Sequence, residues 1–121
     1  MITKQKALGN RGEKLVADKL EKQGFTILAR NYRKQFGEID LIASNKDLLI
    51  FVEVKLRSSN NIDLAELIVP VKQRRISAAA KAYIAEKNYT NKFCRFDVAL
   101  IYTAADTPCI TYIANAFYVC D

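Results

Sequence analysis

The sequence predicts an α/β fold, a central mixed β-sheet flanked by helices in the order α-β-β-β-α-β-β, built as one domain over residues 1–121. Three observations predict it. An amphipathic stretch ends at a glycine. Three short apolar runs follow with brief polar breaks between them. A second helical stretch then separates these runs from two more.

The first helix is expected from about Lys4 to Gln23, with Gly24 as its stop and Leu8, Leu15, Val16 and Leu20 as its apolar stripe. Phe25 to Tyr32 reads as the first strand and Gly37 to Ser44 as the second. Asn45-Lys46-Asp47 forms a polar turn after it. Leu48 to Leu56 is the third strand, and its near-continuous apolar start suggests burial on both faces. Pro70 stands where a helix would begin, and the periodicity carries that helix from about Val71 to Lys87. Its expected buried positions are Ile76, Ala79, Ala80, Tyr83 and Ile84. Phe93 to Tyr102 and Cys109 to Val119 complete the set, with a turn near Asp106-Thr107-Pro108.

Composition narrows the chemistry. Lysine and arginine outnumber acids by 19 to 13, a net charge of +6 that favours polyanions such as nucleic acid. The same excess on a solvated surface would serve solubility alone. The three cysteines, Cys94, Cys109 and Cys120, are odd in number and form no close pair, so neither a disulfide framework nor a zinc knuckle is expected. They fit a reducing compartment. No apolar run approaches bilayer length, and the N-terminal stretch lacks a secretory signal, so a cytoplasmic protein without a membrane partner is expected. The chain has no histidine, which removes Ser-His-Asp and Cys-His catalysis and most zinc enzymes. Hydrolytic chemistry would have to run on carboxylates, lysine and a hard metal.

The stretch from Gly37 to Arg57 supplies such groups. Side chains alternate along a strand, so Glu38, Asp40 and Ile42 share a face, as do Leu49, Phe51, Glu53 and Lys55. If the two strands form a hairpin through Asn45-Lys46-Asp47, their near-equal offsets bring Asp40 close to Glu53. Two carboxylates about 5 Å apart repel by roughly 3 kcal/mol at an effective dielectric near 20, and partial burial adds to that. Mg²⁺ or Mn²⁺ would relieve the repulsion, because oxygen ligands suit hard cations. Asp40 and Glu53 would hold the ion, with the Val54 carbonyl as a further ligand. The ion would polarise a scissile phosphate and acidify water. Lys55 would orient or deprotonate that water and stabilise the growing negative charge. The plainer alternative is a Glu53–Lys55 salt bridge beside a solvated Asp40.

Glu13 falls with Val16, Ala17 and Leu20 on one helical face. It could add a metal ligand, or serve as a first-turn acid against the helix dipole. Gly9 and Gly12 before it would permit close backbone approach or simply loosen the helix start. The second helix opens with Lys72, Arg74 and Arg75, cations that oppose the macrodipole unless an anion such as phosphate also sits there. Lys72 shares a face with Ile76, Ala79 and Tyr83 and so leans inward. Arg11, Arg30, Arg33, Lys34 and Arg57 are further candidates for a phosphate-binding surface. A solvated basic rim is the competing account.

The segments Asn10-Arg11-Gly12-Glu13, Asn31-Tyr32-Arg33, Gly37-Glu38-Ile39-Asp40-Leu41-Ile42, Phe51-Val52-Glu53-Val54-Lys55-Leu56-Arg57 and Arg95-Phe96-Asp97-Val98 resemble the bacterial YraN-like family. That family is similar to the PD-(D/E)XK nuclease superfamily and related to archaeal Holliday-junction resolvases. The resemblance covers nearly the whole chain. It implies a restriction-endonuclease-like fold and a Mg²⁺-dependent endonuclease acting on phosphodiester bonds of DNA, branched or junction DNA among the substrates. It carries the roles of helix glutamate, strand aspartate and final acid–lysine pair to Glu13, Asp40, Glu53 and Lys55. Resolvase-like relatives act as homodimers, so a homodimer is implied as well. The sequence departs from the family pattern after the Glu-x-Lys strand, where residues 61–69 are apolar and glycine-free. A short helix or a dimer contact is expected there. Two alternatives stand beside the nuclease: a non-catalytic nucleic-acid-binding module, and an assembly protein on the same fold.

Overall fold

The structure, a computed structural model, describes residues 4–58, 68–89, 91–103 and 107–117. The element order is α1 (Lys4–Lys22), β1 (Thr26–Lys34), β2 (Gly37–Ser44), β3 (Leu48–Arg57), α2 (Pro70–Lys87), β4 (Phe93–Tyr102) and β5 (Cys109–Phe117). This is the expected α/β architecture, and it is consistent with a restriction-endonuclease-like fold. The expected short helix or dimer contact lies mostly outside the described residues, as do Asp106, the last expected residues of β5 and Cys120.

The five strands form one sheet in the order β1-β2-β3-β4-β5. All neighbours are antiparallel except β3 and β4, which run parallel because α2 carries the chain across between them. Central β3 is buried from Leu49 to Val54, and its side chains feed two cores. Leu49 and Phe51 join Ile42, Ile76, Ala79, Tyr83, Phe96 and Val98 beneath α2. Ile50, Val52 and Val54 join Val16, Ala17, Leu20, Leu41, Ala43 and Ile101 beneath α1. Each large aliphatic or aromatic side chain so buried contributes about 1.5–3 kcal/mol against leaving it exposed. Ring contacts tie the α2 side together: Phe51 stacks on Phe96 at 5.4 Å, Phe96 on Phe117 at 4.7 Å, and Tyr32 meets Tyr83 edge-on at 5.1 Å.

Some expected details shift. Leu15 is 39% exposed rather than buried, because α1 meets the sheet along Gly12, Val16, Ala17 and Leu20, which leaves Leu15 on the flank. Ile84 is half-buried at the margin of the α2 core. α2 begins at Pro70 and has no side-chain cap, and Asn88 ends it in a left-handed conformation with its N–H on the Ile84 carbonyl.

Two glycines set how closely the helices approach the sheet. A Cβ on Gly12 would lie 2.8 Å from Ile101 Cδ1, the tip of a side chain. On Gly37, at the start of β2, it would lie 2.2 Å from the Arg75 carbonyl oxygen. The second contact is with helix backbone, so it cannot be relieved by a rotamer change, and it fixes the distance between β2 and the first turns of α2. Gly37→Ala is therefore expected to destabilise the protein by roughly 2–4 kcal/mol. Gly9→Ala, in α1 with nothing within 4 Å of the added methyl, should stabilise it by about 0.5–1 kcal/mol. Urea unfolding of both variants reads the difference, and equal midpoints would refute the close approach of β2 and α2.

Candidate metal-dependent active site

The β2–β3 register places the acids. Leu41 pairs with Val52 and Ile42 with Phe51, so the next step of the antiparallel ladder sets Asp40 opposite Glu53 on the face covered by α2. Asp40 Oδ2 accepts a hydrogen bond from the Val54 N–H at 2.8 Å, across the end of the ladder. Burial, and next the negative charge of Glu53, raise the Asp40 carboxyl to about 7, against the pull of the Val54 N–H. The charges of Glu13 and Glu38 add to the rise.

Glu53 is itself buried, at 8% exposure, and is neutralised by two lysines. Lys55 Nζ lies 3.3 Å from Glu53 Oε1, and Lys72 Nζ lies 2.7 Å from the same atom. Lys55 comes from the same face of β3. Lys72 reaches down from the first turns of α2, whose approach Gly37 permits. Burial lowers the Lys55 pKa, and the neighbouring Lys72 lowers it further, against the attraction of Glu53. Burial also opposes the charge on Lys72, but its hydrogen bonds to Glu53 and Lys55 and the attraction of Glu53 and Asp40 outweigh this and raise its pKa.

Asp40, Glu53 and Lys72 open into a cleft of about 1190 Å³ between the β1–β2 turn, the end of β3 and the start of α2. That exceeds the few hundred to about 1000 Å³ of typical small-molecule sites. Lys34, Phe36, Glu38, Asp40, Glu53, Val54, Val69, Val71, Lys72 and Arg75 are among its lining residues. Phe36, Val69 and Val71 are exposed apolar side chains on its rim.

Glu13 acts on Asp40 through its charge and is not among the residues lining the cleft. It lies well inside α1, which has no acid in its first turn, so the alternative role as a first-turn acid does not hold. Its Oε2 accepts a hydrogen bond from Asn31 Nδ2 at 3.2 Å. Asn31 makes that contact from a left-handed conformation within β1, with φ of 50°, a geometry asparagine tolerates better than most residues. Burial raises the Glu13 pKa, opposed mainly by the Asn31 hydrogen bond. Among the described residues, no group of three or more His, Cys, Asp or Glu side chains is close enough together to hold a metal ion. The carboxylate donors brought together are Asp40 and Glu53. Their oxygen chemistry fits a hard divalent cation, which would also relieve the part of the Asp40 rise that comes from the facing Glu53 charge rather than from burial.

The other cations are dispersed. Arg75 and Lys34 line the cleft. Lys34 is paired with Glu86, and Arg33 with Glu38 at 3.4 Å. Arg57 Nη1 donates to the Leu56 carbonyl at 2.7 Å. Arg11 and Arg74 are exposed and do not line the cleft.

A further acid, Asp97, carries structure rather than an open site. It is fully buried on β4. Arg95 binds it with two hydrogen bonds of 2.9 Å, the Tyr112 hydroxyl donates to Oδ2, and the Asn115 N–H donates to Oδ1 at 2.9 Å. Asn115 is left-handed, with φ of 58°, and sits in the irregular stretch of β5 opposite Asp97. The carboxylate thus replaces ladder partners that the bulge removes. An Arg-x-Asp pair alternating with apolar residues in a strand is the sequence signal for it.

Asp40 makes a prediction about pH. The folded protein holds its proton more tightly than an unfolded chain, where the carboxyl titrates near 3.8. Its contribution to stability is complete below about pH 4 and is lost as pH rises through about 7. In EDTA, wild-type stability is expected to fall over this window relative to Asp40→Asn by an amount of order 2–4 kcal/mol. Denaturant titrations at pH 5 and pH 8 test this, and parallel pH profiles for the two proteins would refute it.

Comparison with known proteins places this geometry in a family. The family model described as "Uncharacterised protein family UPF0102" matches residues 12–101, a span that contains Asp40, Glu53, Lys55 and Lys72. A UPF0102 protein of Geobacter metallireducens is 40% identical over 118 residues, covering 97% of each chain. One from Geobacter sulfurreducens is 43% identical over 114 residues, covering 93% of this chain and 89% of its own. One from Alkaliphilus metalliredigens is 41% identical over 113 residues, covering 93% of this chain and 98% of its own. The chain belongs to the UPF0102 family, the YraN-like family whose motifs its sequence carries.

Proposed function

We propose that the protein is a metal-dependent endonuclease that hydrolyses phosphodiester bonds in DNA, branched or junction DNA among its substrates. The observation that carries this reading is the crowded pair of carboxylates, Asp40 and Glu53, with Lys55 on the same buried glutamate at the floor of a wide cleft. Buried acids that repel one another lower stability, and such arrangements cluster where chemistry uses them.

In this reading Asp40 and Glu53 would hold Mg²⁺ or Mn²⁺ with the Val54 carbonyl as a main-chain ligand, and Glu13 would add negative charge from α1. A divalent ion supplies Lewis acidity toward a phosphate oxygen and toward water. Lys55 would orient the attacking water and stabilise negative charge growing on the phosphate. Lys72, Arg75 and Lys34 contact the backbone along the cleft, and Arg11, Arg33, Arg57 and Arg74 extend the basic surface beyond it. The reading includes a homodimer, as in resolvase-like relatives, and a cytoplasmic location, which the exposed free thiols of Cys94 and Cys109 support. No described helix is long and apolar enough to cross a membrane.

One observation favours a second reading. Glu53 is already satisfied by two lysines, an arrangement that a binding module without turnover could keep for stability. Cleavage assays separate the two. A labelled panel of four-way junction, flap, duplex and single-stranded DNA, with RNA counterparts, is incubated with Mn²⁺ or Mg²⁺ and with EDTA. Metal-dependent cutting is expected, reduced roughly 100-fold or more in Glu53→Ala and in Lys55→Ala. Folded protein that binds these substrates in a salt-dependent way but cuts none with either metal would establish the binding module instead.

A further inference from the structure

The two lysines on Glu53 are not equivalent. Lys55 projects from the same strand as Glu53, and its side chain is 15% exposed. Lys72 comes from α2, makes the shorter contact at 2.7 Å, and is 39% exposed at the cleft. Lys55 is therefore enclosed beside the carboxylate. Lys72 reaches it on a long flexible stem and is the more exposed of the two, so it can leave without moving backbone. No acid occupies the first turn of α2, so nothing there competes for Lys72. Arg75, from the same helix, lines the same cleft.

A divalent ion and Lys72 cannot share Glu53 comfortably. Both would stand against one carboxylate, with Lys55 as a third positive group, in a half-buried setting where like charges repel strongly. We infer that Lys72 is a tethered counter-ion: it occupies Glu53 until a divalent ion displaces it, and the released ammonium then takes a phosphate of the nucleic acid in the cleft. This rests on the reading of Asp40 and Glu53 as the metal site and adds how that site is regulated. By linkage, metal and nucleic acid then bind cooperatively, each raising the affinity for the other by the same factor. The empty site is held in a neutralised form that costs the fold less than bare carboxylates would.

The test begins with Mn²⁺ calorimetry in the absence of nucleic acid. Lys72→Gln, which can still donate a hydrogen bond to Glu53 but carries no charge, is expected to bind Mn²⁺ roughly five- to tenfold tighter than wild type. Lys72→Arg, which keeps the charge, should stay within about twofold of wild type. Ca²⁺ is then added during anisotropy titrations of a labelled four-way junction. It should strengthen wild-type binding and leave Lys72→Gln nearly unchanged. Thermal unfolding checks that both variants are folded. On unaltered protein with ¹³C-labelled lysines, Mg²⁺ should move the Lys72 side-chain signal toward that of a solvated lysine while leaving Lys55 beside Glu53. Equal Mn²⁺ affinity in wild type and Lys72→Gln, a Lys72→Arg variant that behaves like Lys72→Gln, or a Lys72 signal that Mg²⁺ does not move would overturn the counter-ion role. In those cases metal-dependent cleavage can still stand. If wild type and variants alike take up no metal, the metal-site reading falls too.

Discussion

The register of β2 against β3 is the constraint on which the rest of the site depends. Once Leu41 pairs with Val52, Asp40 and Glu53 must face each other on the α2 side of the sheet. A shift of one residue would flip β2 relative to β3, putting the two acids on opposite faces and moving Ile42 and Leu41 into each other's cores, so the hydrophobic core itself enforces the pairing. The fold thus uses its strongest term, burial of Leu49 to Val54, to hold two carboxylates where they repel. A cost of a few kcal/mol is large against a total stability of about 5–15 kcal/mol. The surroundings offset it: Lys55 from the same strand, Lys72 from α2, the Val54 N–H, and a carboxyl on Asp40 whose proton is retained to about pH 7. Gly37 belongs to the same set, because without its close approach to Arg75 the helix would stand too far out for Lys72 to reach Glu53.

The molecule's other buried acid shows what a structural carboxylate looks like here. Asp97 is fully buried, yet it has a bidentate arginine, a tyrosine hydroxyl and a backbone N–H, all directed at it. Its charge is balanced and its lone pairs are used, which is how a fold keeps an acid for stability. Asp40 has a backbone N–H and a facing carboxylate. The two acids differ physically: one completes a bulged sheet, and the other lies at the wall of a cleft, where burial and a facing carboxylate favour its protonated form.

Much of this was legible because it depends on periodicity. The unbroken apolar run at the start of β3 marked a strand buried on both faces, and alternation put Glu53 and Lys55 together. Spacing along α2 set Lys72 on the face of Ile76 and Tyr83, the side that meets the sheet. What periodicity does not encode is contact between elements distant in the chain. The Glu13–Asn31 hydrogen bond needs both the placement of α1 and a left-handed residue within β1, and neither leaves a mark in the apolar pattern. Asn115 meets Asp97 because β5 is irregular opposite it, and Tyr112, paired with Ala99, reaches it diagonally across the ladder. The flank position of Leu15 follows from where Gly12 lets α1 sit, a packing choice that a helical wheel leaves open.

Charge accounting at the cleft explains why such a site would take its ligands together. Formally, Asp40 and Glu53 carry two negative charges, and Lys55 and Lys72 two positive ones. A dication added alone leaves the group strongly positive in a half-buried place, and a phosphodiester added alone leaves it negative while it meets an ammonium already committed to Glu53. Added together, the ion takes the carboxylates and the backbone phosphates take the displaced positive charge, so each opposite pair is matched. In the proposed reading, the basic residues around the rim, Lys34 and Arg75 among them, would favour the approach of a polyanion. Placing the lysines against the acids in the empty protein keeps the unliganded site close to neutral, and this lets a fold of modest size carry buried like charges without unfolding.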